Sequence, residues 1–188
     1  MELSTTLTFI CIFIIMEAFF SGSEIGMIAI NRIKMKQKAD EGNSSAERVL
    51  NLLNTPEKLF ATTSLGTNLA VVSSTSIFTA YMVTRMGSQG ELLAMIILSP
   101  IILFWGEIVP KMILQNRADT IMPFFIWPLE MSLRVLSPII IFFTSISSFI
   151  TNKLFRLTQE NKKTFSRDQI LQVLSLDSQT IALDATER

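Results

Sequence analysis

Three groups of oxygen-bearing residues interrupt apolar stretches of this chain. Glu17, Ser21 and Glu24 stand at i, i+4 and i+7, which puts them on one face of a helix. Ser64, Gly66, Thr67 and Asn68 form a second group, followed by Ser73, Ser74 and Thr75. The third is Gly106-Glu107-Ile108-Val109-Pro110-Lys111. Pro110 has no N–H, so in an α-helix the carbonyl of Gly106 loses its donor beside a carboxylate. A free carbonyl next to a carboxylate is half of a hard-cation site. The whole polar inventory is carboxylate, hydroxyl, amide and carbonyl. There is no His and one Cys, Cys11. That excludes His catalysis, an internal disulfide and a soft-metal cluster, and it favours Mg²⁺, Ca²⁺, Mn²⁺ or Na⁺.

Each group has a plainer reading. Glu24 can sit near the membrane interface and be solvated, and Ser21 can bond the carbonyl four residues back. Ser, Thr and Asn in the second group can be glue between helices. Glu107 can pair with Lys111 at i+4 across a proline kink. Glu17 is harder to dismiss, because it lies further from the basic end of its block and a buried carboxylate is costly.

The elements that hold these groups are apolar blocks. Of 188 residues only 17% are charged and 49% are hydrophobic, against about 25% charged in a soluble domain. The 16 basic and 16 acidic residues cancel, which argues against a general nucleic-acid binder. Residues 3–31 carry two charges, 59–84 none, and 92–110 one. Each reaches the roughly 20 residues of a spanning helix. The expected fold is an all-α membrane protein with three spans, about 3–31, 59–84 and 92–112. The region 121–152 is cut by Pro123, Pro128 and Pro138 and carries Glu130 and Arg134. It reads as a proline-broken juxtamembrane belt helix, with a fourth span as the alternative.

Basic residues set the orientation. Arg32, Lys34, Lys36, Lys38, Arg48 and Lys58 follow the first block, and none precedes it. The expected topology is multi-pass in the cell membrane, amino terminus outside and carboxy terminus cytosolic. The inner segment 32–58 reads as helical, with Ala46, Val49, Leu50, Leu52 and Leu53 near helical spacing and Thr55-Pro56 opening a new helix. Residues 156–188 read as a cytosolic helical tail with Ser166 as N-cap, Asp168 in the first turn, and Ile170, Leu171, Val173 and Leu174 as its stripe.

The run from Phe20 to Gly26, then Gly66-Thr67-Asn68, then Gly106-Glu107-Ile108-Val109-Pro110-Lys111, in that order, resembles the membrane domain of the CorC/CNNM (cyclin M-like) magnesium transporters. The likeness covers roughly residues 1–155. It implies three spanning helices, a belt helix and a homodimer that exports Mg²⁺, with Na⁺ influx as the driving force. It implies Mg²⁺ ligands at Ser21, Asn68, Gly106 and Glu107. Glu17, Ser23, Glu24, Ser64, Gly66, Thr67 and Pro110 are then expected to support that site or to form one for Na⁺. Family members usually carry Ser or Asn one turn before the Ser21 position, where this chain has Glu17. They also continue into nucleotide-binding CBS modules, and this chain is expected to stop short of them.

The expected function is therefore Mg²⁺ export through an all-oxygen site with alternating access, in a lipid bilayer, by a non-enzymatic homodimer. The alternative is a membrane anchor that dimerises and positions a cytosolic regulatory module. An intramembrane enzyme is disfavoured, since no nucleophile motif accompanies the carboxylates.

Overall fold

The computed structural model describes residues 2–155, so the expected tail at 156–188 and its Ser166 cap lie outside the described residues. All regular structure among the described residues is helical. Helix α1 (Leu3–Ala29) is followed by α2 (Arg32–Asp40), α3 (Ser44–Leu53), α4 (Pro56–Met86) and α5 (Gln89–Ile101). A π-helical segment, Ile102–Ile108, then leads into α6 (Val109–Phe155). Residues 1–140 form one compact unit, and helix continues through 141–155.

Local chemistry sets the boundaries. Ile30 turns extended, and the Asn31 side chain caps α2 by accepting from the N–H groups of Ile33 and Lys34. Asn43 caps α3 in the same way through Ser45 and Ala46. Such caps satisfy N–H groups that have no partner within the helix. Pro56 opens α4 at a position where its missing N–H costs nothing. Gly87, at φ 65°, ends α4 in a conformation most residues avoid.

Two stretches are long and apolar enough to cross a membrane, Leu3–Ala29 and Gln89–Phe142. Helix α4 has 31 residues, or about 46 Å at 1.5 Å per residue. Its Ser, Thr and Asn residues lower its hydropathy, and it is not one of those two stretches. Along α1, α5 and α6, large side chains such as Ile15, Leu92, Met95, Phe124 and Trp127 are exposed.

Small residues bring the helices together, as expected where packing rather than water exclusion drives association. The Phe20 ring of α1 lies on Gly66 of α4. Gly22 meets Pro110 and Leu114, and Gly26 meets Leu114 and Met122. Two apolar clusters result. One gathers Ile10, Phe78, Ala94, Leu98 and Ile102. The other joins the far half of α1 (Phe20, Met27, Ile30) to Met35, to Ala46, Val49, Leu52 and Leu53 of α3, and to Leu114, Met122, Ile126 and Leu129 of α6. The stripe read on α3 from spacing is thus its buried face.

The prolines do not break α6. Its one non-helical residue is Arg117, at φ −126° and ψ 27°. Pro123 would leave the Asp119 carbonyl without a donor, and Lys38 Nζ donates to that oxygen at 3.1 Å. The Asp119 carboxylate accepts from the Asn31 N–H at 2.8 Å and pairs with Lys34 at 3.3 Å. One residue beside the kink thereby ties α6 to the end of α1 and to α2. Arg48 of α3 meets Glu130 of α6 at 3.1 Å.

Candidate functional site

A polar waist separates the two apolar clusters. On α1 it falls between Ile14 and Phe20, on α4 around Gly66 and Thr67, and on the π segment and the start of α6 between Ile102 and Leu114. The three groups singled out by residue type sit at this level or border it.

Glu17 is the centre of the waist. It is 1% exposed, and its Oε2 has no hydrogen-bond partner. The carboxylate lies on the backbone of Gly106, where an added Cβ would stand 2.5 Å from Oε2 and 2.7 Å from Oε1. Only glycine admits a carboxylate so close. Glu107 and Lys111 are near enough to act on Glu17 electrostatically. Ser21, one turn along the same face, is 2% exposed, and its Oγ also lacks a partner. Ser23 Oγ and Thr67 Oγ1 are in the same condition. Buried polar atoms without partners are rare in proteins, and four of them occur on α1 and α4 around this level.

The backbone of the third group is unusual. Val109 N–H donates to the Phe104 carbonyl, five residues back. Pro110, the next residue, has no N–H to offer. In the π register its partner would be Trp105, and in the α register Gly106. The missing bond therefore falls on one of these two carbonyls, on Trp105 where the π register holds at Pro110 and on Gly106 where the α register has resumed. Single π turns recur at functional sites.

Not all residues expected to share a site come together. Glu107 is half-exposed, and its Oε1 accepts a short hydrogen bond from Lys111 Nζ. Asn68 is exposed on α4, and its amide donates to the Ser64 carbonyl at 2.8 Å. Ser64 is exposed and Glu24 half-buried. Among the described residues, no three carboxylate or thiolate side chains converge on one point. What the fold assembles is Glu17, Gly106, Glu107 and Lys111, with Ser21 beside them and Pro110 packed on Gly22. Gly66 serves the fold as the seat of Phe20, a role that its small size permitted but did not specify.

This donor set can stabilise positive charge. It offers a buried carboxylate, a hydroxyl, backbone carbonyls and a second carboxylate that already holds an ammonium group. Hard cations suit such oxygens.

Comparisons with known proteins agree on the class. Residues 8–187 match the profile of the Cyclin M transmembrane N-terminal domain. The chain is 30% identical over 185 residues to the UPF0053 inner membrane protein YfjD of Escherichia coli, covering 88% of this chain and 43% of that protein. It is 28% identical over 185 residues to the polyamine export protein of E. coli, covering 92% of this chain and 41% of that one. A UPF0053 protein of Haemophilus influenzae is 26% identical over 177 residues, at 92% and 41%. The chain spans less than half the length of these relatives. Profile and apolar helices together place it in a membrane, and the chain belongs to the CNNM transmembrane-domain family.

Proposed function

We propose that this domain carries a cation across the membrane, with Mg²⁺ as cargo exported from the cytosol and Na⁺ influx as the driving force. The observation that carries the reading is the buried Glu17 carboxylate, with an unpartnered oxygen, between two apolar clusters. A carboxylate at membrane depth is expensive and marks an ion path more often than a packing site. The clusters on either side would serve as the two gates of alternating access, and the π segment with its proline as the hinge.

In this reading α1, α4 and the helix entering at Gln89 are the three spans, with the amino terminus outside. Helix α6 beyond Arg117 lies along the inner interface as a belt. The pairing of Glu130 with Arg48, on a hydrophilic segment, supports that depth. The active form is a homodimer, and the longer protein adds cytosolic CBS modules. Mg²⁺ would be held by Glu107, Ser21, Asn68 and the Gly106 carbonyl. Reaching that state requires Lys111 to leave Glu107 and Asn68 to turn from Ser64.

A second cargo has its own support. Relatives are named as polyamine exporters, and Lys111 shows that a primary ammonium fits Glu107 here. The test is Mg²⁺ and spermidine flux into proteoliposomes under an imposed Na⁺ gradient, in wild type and Glu107→Gln. Gradient-driven Mg²⁺ flux that the variant loses supports the first reading. Spermidine flux alone supports the second. Flux of neither from folded protein favours the anchor alternative.

A further inference from the structure

The basic end of the bundle carries more positive charge than its own contacts use. Helix α2 has Arg32, Lys34, Lys36 and Lys38 and no acidic residue before Asp40. Two of these ammonium groups gather on Asp119 of α6, Lys34 at its carboxylate and Lys38 at its carbonyl. The Asn31 N–H takes the other carboxylate oxygen, so both are engaged. Arg117 stands two residues earlier, at the kink of α6. Its guanidinium has no ion-pair partner among the described residues. These groups meet in a cleft of about 580 Å³ where α1 ends between α2 and α6, with Lys34, Gln115, Arg117, Asp119 and Thr120 in its wall.

The cleft stands where the surface changes character. Ile28 on α1 and Met112 and Ile113 on α6 are apolar and exposed. Within about one turn they give way to Asn31 on one side and to Gln115, Asn116 and Arg117 on the other. That is the order met on leaving hydrocarbon for the headgroup layer. Ile33, beside Lys34, is 82% exposed, an apolar side chain left open on a mostly polar helix. A guanidinium fork next to an ammonium matches the oxygens of a phosphate, and Gln115 and Thr120 add neutral donors. Free phosphate offers the same oxygens, but only a lipid brings acyl chains to cover Ile28, Ile33 and Ile113.

We propose that this cleft binds the phosphate of an anionic phospholipid, held by Arg117 and Lys34, with its acyl chains against the exposed apolar side chains of α1 and α6. Basic pockets at the ends of spanning helices suit anionic headgroups. The proposal needs the membrane location of the chain and is independent of what the bundle carries.

The experiment uses the full chain, purified in detergent. Native mass spectrometry at fixed ionic strength counts bound lipid against added phosphatidylglycerol or phosphatidylcholine, with inorganic phosphate as soluble competitor. Wild type should take up phosphatidylglycerol saturably and in preference to phosphatidylcholine. Arg117→Gln should raise the half-saturating concentration by about five- to tenfold, the worth of one basic residue at a lipid phosphate, and Lys34→Gln by a similar factor. Lys36→Gln removes an exposed charge of α2 that lies outside the cleft, and should shift the midpoint by less than about twofold. If Arg117→Gln melts below wild type without lipid, Lys34→Gln decides by the same midpoint, since its side chain is largely exposed. Equal uptake of the two lipids, an unmoved midpoint in the cleft variants, or equal losses from Lys36→Gln and Arg117→Gln each overturns the proposal, the last by reducing the binding to a diffuse surface attraction. Displacement of the lipid by an equal concentration of inorganic phosphate overturns it too, and makes the cleft a site for soluble anions.

Discussion

The carboxylate of Glu17 rests directly on the α-carbon of Gly106, with both oxygens inside the volume a side chain there would occupy. Two features of unrelated origin meet in that contact. One is a charge on α1 with an oxygen left unpartnered. The other is a glycine in a π-helical turn just ahead of a proline. Each makes the other tolerable, because a larger residue would expel the carboxylate and an α-helical turn would orient the backbone differently.

Gly106→Ala tests that contact. The new Cβ would meet the carboxyl group of a side chain whose surroundings are closed, so Glu17 must move or α1 must shift. Overpacking of this kind costs about 1–3 kcal/mol. The melting temperature should fall, and transport should be lost. The double variant Glu17→Ala/Gly106→Ala should regain most of the stability without regaining flux. If Gly106→Ala melts like wild type, the close approach is not present in the membrane.

Gly66→Ala probes the other side of α1. A Cβ there would stand 2.5–2.6 Å from atoms of the Phe20 ring, which also packs edge-on against Phe19 at 5.1 Å. The ring cannot swing away freely, so a loss of about 1–3 kcal/mol is expected. Phe20→Leu should recover part of it in the double variant, with a coupling energy readable from a mutant cycle. Additive losses would mean that the two residues do not touch.

Much of this was legible from residue types. Thr55-Pro56 announced a helix start, and the stripe from Ala46 to Leu53 announced a buried face, whereas the caps at Asn31 and Asn43 were not read from the sequence. Glu17 stood out because burying a carboxylate is costly whatever the fold. The rotation of α4 was not legible. Ser64 and Asn68 do share a face, but the seating of Phe20 on Gly66 turns that face outward, and no spacing rule encodes a contact 46 residues away. The π turn was hidden too, since Pro110 predicts a missing bond but not the register around it. The prolines of 121–152 misled for a specific reason. Pro123 looks like a break only until Lys38, 85 residues earlier, supplies the hydrogen bond it withholds.

Asp119→Ala tests that tie. The substitution removes the acceptor of the Asn31 N–H and the partner of Lys34, but not the backbone oxygen that Lys38 uses. Lys34 is largely exposed, so its ion pair contributes little. The backbone N–H bond is the larger loss, about 0.5–1.5 kcal/mol. Lys34→Ala should therefore be nearly silent. Asp119→Ala should lower stability modestly and speed amide exchange at Asn31 and in the first turn of α2. Equal effects from the two variants would mean that the ion pair, rather than the backbone bond, joins α6 to α1.

Lys111→Met bears on which ions the waist accepts. Lys111 now occupies Glu107. Removing its ammonium frees the Glu107 carboxylate, while the methionine keeps an apolar stem of similar length. A divalent cation then reaches Glu107 without first displacing a tethered competitor. Mg²⁺ should bind more tightly, by about tenfold or more if displacing the ammonium costs 1.4 kcal/mol or more. Release should slow, so transport should fall at saturating Mg²⁺ even as the half-saturating concentration drops. Calorimetric titration of the purified variant with Mg²⁺ gives the affinity, and proteoliposome flux gives the rate. Unchanged affinity would show that Lys111 does not compete with cargo, and that Glu107 contributes to Mg²⁺ binding no more than any surface carboxylate paired at i+4.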